Sequence, residues 1–424
     1  MISDNRKECF VWIWLPEKTQ PVVAGRVVLH DHNYLFTYGQ SYLKRSDAIP
    51  IYDRELPLKT GVQEKTGGTD RLFGCIRDSS PDAWGRRVIL NHKFGVKGKN
   101  ADTGNLDEIT YLLESGSDRI GALDFQVSPH EYIPRLSTQA RLEELMEMVD
   151  RVERGIPLTP ALALAMNHGT SIGGARPKVL IDGDEKKYIA KFSSSTDQYN
   201  VIKAEFVAMK LAEKCGLDVA PVSLKKLSGK DILLIERFDR TRQTDGWSRR
   251  LMLSALTLLG LDEMTARYAS YELFAEEIRL RFRQPRQTLR ELFGRMVFNI
   301  LVSNTDDHAR NHAAFWNGKE MVLTPAYDIC PQLRTGGEAS QAMLISGQNN
   351  SSRLEICLES AGSFMLGKNE ARAIIDHQVD TILQTFNEVS DEARLSHIEK
   401  ELFMKRLLLN PYAFQGYGNR YDFA

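Results

Sequence analysis

One short run constrains this chain more than any other. Segments 312–316 and 319–324 both read as strands, and they flank the dipeptide Asn317-Gly318. An Asn-Gly pair between two such segments supplies the left-handed residues a tight hairpin needs. A hairpin centred there returns its far end to its start, so Asp328 is expected beside Asn311. Upstream, Leu292, Phe293, Met296, Val297, Ile300 and Leu301 recur at three- and four-residue steps. That period predicts an amphipathic helix running into the core. The helix gives way to Ser303-Asn304-Thr305-Asp306-Asp307-His308, polar and rich in turn formers.

The chemistry follows from this layout. Asp306 and Asn311 stand five residues apart across the loop. This is the D-x-x-x-x-N spacing of a protein-kinase catalytic loop, where the Asp takes the proton of the attacking hydroxyl and the Asn holds Mg²⁺. The second metal-holding Asp of that pattern follows a later strand, which is the place of Asp328. Asn and Asp offer hard oxygen ligands and leave positions for phosphate oxygens and water. The spacing alone describes a polar turn; the hairpin and Asp328 together turn the reading toward phosphoryl transfer.

Bulk properties set the limits. A chain of 424 residues has room for two or three domains. A net charge of −1 argues against a surface built as a whole to coat nucleic acid or an anionic membrane. The five cysteines are scattered, with no CxxC pair, as expected of reduced thiols in a cytoplasmic protein without a structural zinc site. The N-terminal residues do not read as a signal peptide, and no apolar run is long enough to span a membrane.

Taken in order, the chain begins with strand-like runs at 10–14, 22–29 and 34–38. Pro81 marks the opening of a helix, with Asp78 and Asp82 as capping carboxylates. Residues 139–154 carry apolar positions at helical spacing and end at Gly155, where we place a boundary. A Gly-rich segment follows, His168-Gly169-Thr170-Ser171-Ile172-Gly173-Gly174-Ala175-Arg176-Pro177-Lys178, leading into strands at 179–181 and 188–192. Glycine lets backbone N–H groups approach phosphate oxygens, although the segment does not fit a Walker A loop. Lys191, on the return strand, can reach such phosphates, and Glu205, on a helix predicted over 201–215, is its candidate partner. A strand at 232–235 runs into Glu236-Arg237-Phe238-Asp239-Arg240, a place for an adenine-holding crossover. From 248 onward the expectation is mostly helix, apart from the hairpin and a Gly/Ser-rich loop at 335–352.

Four motifs in this order resemble the HipA family of serine/threonine kinase toxins: 171–178, 235–240, 304–311 and 323–328. The resemblance implies an α+β, two-lobed protein-kinase-like fold. It divides the chain into a small N-terminal subdomain (1–155), a nucleotide-binding N-lobe with the Gly-rich loop (156–240) and a helical C-lobe (241–424). It implies Asp306 as catalytic base, Asn311 and Asp328 as Mg²⁺ ligands, and ATP contacts through Ser171, Ile172, Gly173, Gly174, Ala175, Lys191, Glu236, Phe238, His308 and Asn311. It implies autophosphorylation of Ser171, with Thr170 as the alternative acceptor. It further implies a HipB-like helix-turn-helix antitoxin through which any DNA contact is made, and a substrate in the translation machinery such as an aminoacyl-tRNA synthetase. The chain departs from the family at Arg176-Pro177, where a Gln-Glu pair is common, and Asp307 adds a carboxylate next to the base.

Two other classes compete. Asp306, Asp307, His308 and His312 are candidate ligands of a metal-dependent hydrolase, since two histidines four apart share a face if helical. A non-catalytic protein working with a DNA-binding antitoxin is the other.

Overall fold

The computed structural model describes residues 6–65, 71–94, 106–136, 141–159, 162, 167–170, 176–194, 197–334, 336–418 and 421. By packing, the chain forms two compact units. The first comprises Met1–Asp197, Lys225–Leu253 and Phe315–Lys319; the second comprises Gln198–Leu224, Ser254–Ala314 and Glu320–Ala424.

The first unit opens with strands β1 (Glu8–Ile13), β2 (Val22–His30) and β3 (Asn33–Tyr38), followed by the short β4 (Gln63–Glu64) and by β5 (Leu123–Gln126). They form one sheet in the order β4-β3-β2-β1-β5. The β2–β3 hairpin turns on Asp31 and His32, both at positive φ, as a tight two-residue turn requires. Helix α1 (Ala83–Phe94) starts one residue after Asp82, whose carbonyl accepts from Arg86 N–H. Asp78 instead ends the preceding short helix at 74–77. Helix α2 (Glu108–Glu114) is capped by Asp107, whose side chain accepts from Thr110 N–H at 3.0 Å. Helix α3 (Leu142–Arg154) stops at Gly155, which takes the left-handed conformation expected of a helix-ending glycine.

A second sheet contains β6 (Lys178–Asp182), β7 (Lys187–Phe192), β8 (Val222–Leu227) and β9 (Lys230–Glu236) in the order β6-β7-β9-β8. Trp84 and Val88 of α1, Met148 and Val149 of α3, and Val179, Ala190, Phe192 and Ile232 of the sheet make one buried core. The chain then forms a further hairpin, β10 (Arg240–Gln243) with β11 (Gly246–Arg249), and a strand, β12 (Leu251–Ser254). This corrects the expectation of helix from 248. The strands are short and rich in Arg and Ser, so neither period nor propensity marks them out; Asp245-Gly246 is the turn signal that was passed over.

The second unit is mostly helical: α4 (Val201–Lys214), α5 (Tyr271–Arg281), α6 (Pro285–Leu301) and the long α7 (Lys368–Glu392), which packs on α4 and α6. Pro285 occupies the first turn of α6, where its missing N–H costs nothing. From Leu292 to Leu301 every residue of α6 is buried, including Arg295 and Asn299. The helix is therefore embedded on all sides, beyond the one-sided stripe its period suggests. Strands β13 (Ala313–Trp316) and β14 (Met321–Leu323) follow, and Thr324 N–H donates to Ala313 O at 3.0 Å, closing the expected hairpin. No helix among the described residues is long and apolar enough to cross a membrane.

Candidate active site

The loop after α6 is built by backbone hydrogen bonds. Ser303 takes a positive φ of 53°, which turns the chain off the helix axis. Asn304 N–H then reaches back to Asn299 O at 2.8 Å, and its side-chain amide donates to Asn299 Oδ1 at 2.9 Å. His308 N–H donates to Asp306 O (2.9 Å) and Asn311 N–H to His308 O (2.8 Å), so 306–311 is a compact double turn. The Asn311 side-chain amide donates to Asp306 O at 3.1 Å. With its NH₂ group engaged there, Asn311 has Oδ1 left to accept or to ligate. Asp306 lies on the exposed side of the turn.

Asp307 faces the other way. It is 1 % exposed, its Oδ1 lies 2.8 Å from His312 Nε2, and its Oδ2 accepts a short hydrogen bond from the Tyr271 hydroxyl. The Tyr271 oxygen also lies 3.2 Å from His312 Nε2. Burial, with the Asp307 charge beside it, pushes the Tyr271 phenol well above its usual range, so it stays a donor. The second carboxylate is thus not a free charge beside the base. The same geometry corrects the hydrolase alternative. Asp307 and His312 are committed to each other, the segment is turn rather than helix, and no three His, Cys, Asp or Glu side chains converge as a metal site among the described residues.

Asp328 is carried in by a short parallel bridge. Ala326 N–H donates to Asp218 O and Ala220 N–H to Ala326 O, at 2.8 and 2.9 Å. Tyr327 then donates its hydroxyl to Arg310 O at 2.8 Å. A small cleft behind the loop is lined by Asp307, Asn311 and His312 together with Tyr327 and Ile329, the two neighbours of Asp328. Asp328 is partly buried and has φ of 59°. A non-glycine residue in that region marks a position held by its surroundings, and such positions concentrate at functional sites. Arg310 pairs with Glu263 at 2.6 Å.

The remaining expected contacts lie on other elements. Lys191 sits on β7 in the first unit, 4 % exposed. Its register partner across the strand pair is Lys178, 5 % exposed, so both project from one face. Sequence reasoning passed over Lys178, though hairpin register counted back from Lys191 would have found it. Residues 171–175 lie outside the described residues. Thr170 is fully buried, and its hydroxyl accepts from Gly116 N–H at 2.9 Å. Arg176 pairs with Asp197 at 2.6 Å. Glu205, on α4 in the second unit, is 1 % exposed, which a solvated first-turn carboxylate would not be. Its burial demands compensation.

Around the 235–240 motif the side chains alternate. Glu236 is partly exposed and pairs with Lys186; Phe238 stands edge-on to Phe315, with ring centres 5.9 Å apart. Arg237, Asp239 and Arg240 are buried and form a network with Asp118. Arg237 lies 3.1 Å and Arg240 2.9 Å from the Asp118 carboxylate, and Asp239 accepts from Gly121 N–H at 2.8 Å. Burial alone would raise the Asp118 pKa. Arg237, Arg240 and Lys187 outweigh it and hold the carboxyl well below the usual range.

Comparison with known proteins bears on this arrangement. Residues 170–386 match the model of the HipA-like C-terminal domain, about half of the chain. The chain belongs to the HipA family. Residues 15–126 match the model of the HipA N-terminal domain. The serine/threonine-protein kinase toxin HipA of Shewanella oneidensis is 25 % identical over 324 residues, 70 % of this chain and 69 % of that one. Y4mE of Sinorhizobium fredii is 26 % identical over 332 residues, 72 % of this chain and 74 % of that one. A solved complex of Shewanella oneidensis HipA, HipB and operator DNA matches with a TM-score of 0.64 at 18 % identity, covering 93 % of this chain and 94 % of that one. The fold is therefore the expected two-lobed, kinase-like α+β fold.

Proposed function

We propose that this chain is an ATP- and Mg²⁺-dependent serine/threonine protein kinase and the toxin of a toxin–antitoxin pair. The observation that carries the reading is the 306–311 double turn, with an exposed Asp306 at one end and an Asn311 amide oxygen left over at the other. Membership of the HipA family and the kinase-toxin name of the Shewanella relative support it.

In this reading Asp306 accepts the proton of an attacking hydroxyl. Asn311 and Asp328 fit a hard cation, being oxygen donors on adjoining turns, and would hold Mg²⁺. When bound, the ion offsets phosphate charge. Lys191 and Lys178 attract the ATP phosphates, Glu205 is the counter-charge to Lys191, and His308 lies on the nucleotide side of the turn. Glu236 and Phe238 flank the adenine. The chain is organised as an N-terminal subdomain (1–155), an N-lobe (156–240) and a C-lobe (241–424). Ser171 is the inhibitory autophosphorylation site; the buried, hydrogen-bonded Thr170 is the poorer acceptor. A HipB-like helix-turn-helix antitoxin brings any DNA contact, and the target belongs to the translation machinery, an aminoacyl-tRNA synthetase being the class to try first. The test is incubation with Mg-ATP followed by intact-mass and peptide mass spectrometry, on wild type and Ser171→Ala. Phosphate on Ser171, absent without Mg²⁺, is the expected result. An enzyme that transfers phosphate to no hydroxyl, its own included, refutes the reading.

A further inference from the structure

The Asp307–His312–Tyr271 cluster has no role in the reaction as described, yet its connectivity is specific. Asp307 follows the base Asp306, and His312 follows the ligand Asn311. The carboxylate–imidazole hydrogen bond, 2.8 Å long, therefore spans the same loop as the Asp306–Asn311 pair, on its buried side. On the other side the Asn311 side-chain amide ties back to Asp306 O, and Tyr327 and Glu263 hold Arg310 from outside the loop. Tyr271, at the start of α5, fixes the carboxylate from a different element. Ala255 N–H donates to His312 O at 2.8 Å, which holds the far end of the loop from a third. Nε2 of His312 is aimed at two oxygens, one of them the Asp307 carboxylate, while Nδ1 is buried without a hydrogen-bond partner.

A buried ionic hydrogen bond is a poor way to gain stability, because desolvation offsets much of the attraction. It is a good way to fix one geometry, since few other arrangements bring the carboxylate, the imidazole Nε2 and the hydroxyl into mutual contact. We propose that Asp307, His312 and Tyr271 are positioning residues: a buried brace that sets the separation of Asp306 and Asn311 and hence the alignment of base and metal ligand. The proposal rests on the kinase reading of this site. All three are buried, at most 3 % exposed. They act through the loop backbone, where a displacement of 1 Å can cost about 100-fold in rate.

The test uses the full chain with Tyr271→Phe, which removes one hydroxyl and keeps the ring, with His312→Ala, and with His312→Gln, whose amide can still donate to Asp307. Hydrogen–deuterium exchange of the peptide covering 303–314 is measured beside steady-state kinetics. The brace predicts faster exchange confined to that peptide, with α6 unchanged, in Tyr271→Phe and His312→Ala. It predicts a kcat about 10- to 100-fold lower with the KM for ATP within about threefold of wild type. His312→Gln is expected to recover part of both. Unchanged exchange and kcat in Tyr271→Phe overturn the proposal. So does loosening that extends through α6 with kcat falling only as folded protein is lost, since that is the signature of a packing role. A wild type inactive with Mg-ATP would overturn the kinase reading and the catalytic purpose of the brace together. The exchange arm separates that failure from a failure of the brace itself.

Discussion

Asp306 and Asp307 are adjacent, chemically identical and opposite in environment. One stands on the open side of a turn; the other is buried against Tyr271 and His312. No property of the two letters distinguishes them, and the direction of the turn is decided by Ser303 at positive φ and by the bonds of Asn304 to Asn299. The spacing from Asp306 to Asn311 was legible in the sequence; the inward role of Asp307 was not, because its partner on α5 is 36 residues away. Replacing Asp307 by Ala leaves the Tyr271 hydroxyl and His312 Nε2 buried without their acceptor. We expect a loss of about 1–3 kcal/mol, read as a lower urea midpoint. A midpoint equal to wild type would mean that the carboxylate is dispensable to the fold. At Asp328 the backbone is left-handed, which Asn tolerates and Ala does not. Asp328→Asn is therefore expected to melt like wild type while losing Mg²⁺-dependent turnover. A parallel loss of folding would assign the residue to structure alone.

At the scale of elements, the hairpin was readable because Asn317-Gly318 is a local signal. Gly318 has φ of 94°, and a Cβ there would lie 2.5 Å from Ile49 Cγ2. Gly318→Ala should destabilise the fold through both strain and clash, by at least the roughly 1–2 kcal/mol of a left-handed alanine, read as a lower Tm. A Tm within error of wild type would show that the tip relaxes freely. The network joining Arg237, Asp239 and Arg240 to Asp118 was invisible, because its partners are about 120 residues apart and charged strand ends normally read as solvated. It yields a pH dependence. The folded Asp118 pKa is depressed below its ordinary value of 3.8. Its stabilising contribution is therefore fully present well above pH 3.8 and is lost as pH falls through the lower folded value. In thermal melts from pH 7 downward, Asp118→Asn should be markedly less stable than wild type at neutral pH, with the gap narrowing below pH 4. A gap that is constant with pH would mean that shape, not charge, is what the site requires.

For the whole molecule, the order of motifs carried more information than any one of them. Four modest patterns at 171–178, 235–240, 304–311 and 323–328 led to a family that the matched domains bear out. The assignment of segments to compact units was harder to foresee. Residues 225–253 and 315–319 return to the first unit from far along the chain, and α4 belongs with the helical one. Such long-range returns leave no local trace in sequence. Expressed without an antitoxin, the wild type should arrest growth and Asp306→Asn should not; equal arrest by both would indicate a cause other than catalysis. The most direct measurement is the initial rate of phosphoryl transfer from Mg-ATP by purified wild type and Asp306→Asn, followed by mass spectrometry. Asp306 is exposed and its backbone carbonyl keeps its bonds, so the variant should fold normally. A rate lower by at least about 100-fold is expected, as for a lost general base. A folded Asp306→Asn protein that phosphorylates at close to the wild-type rate would contradict it.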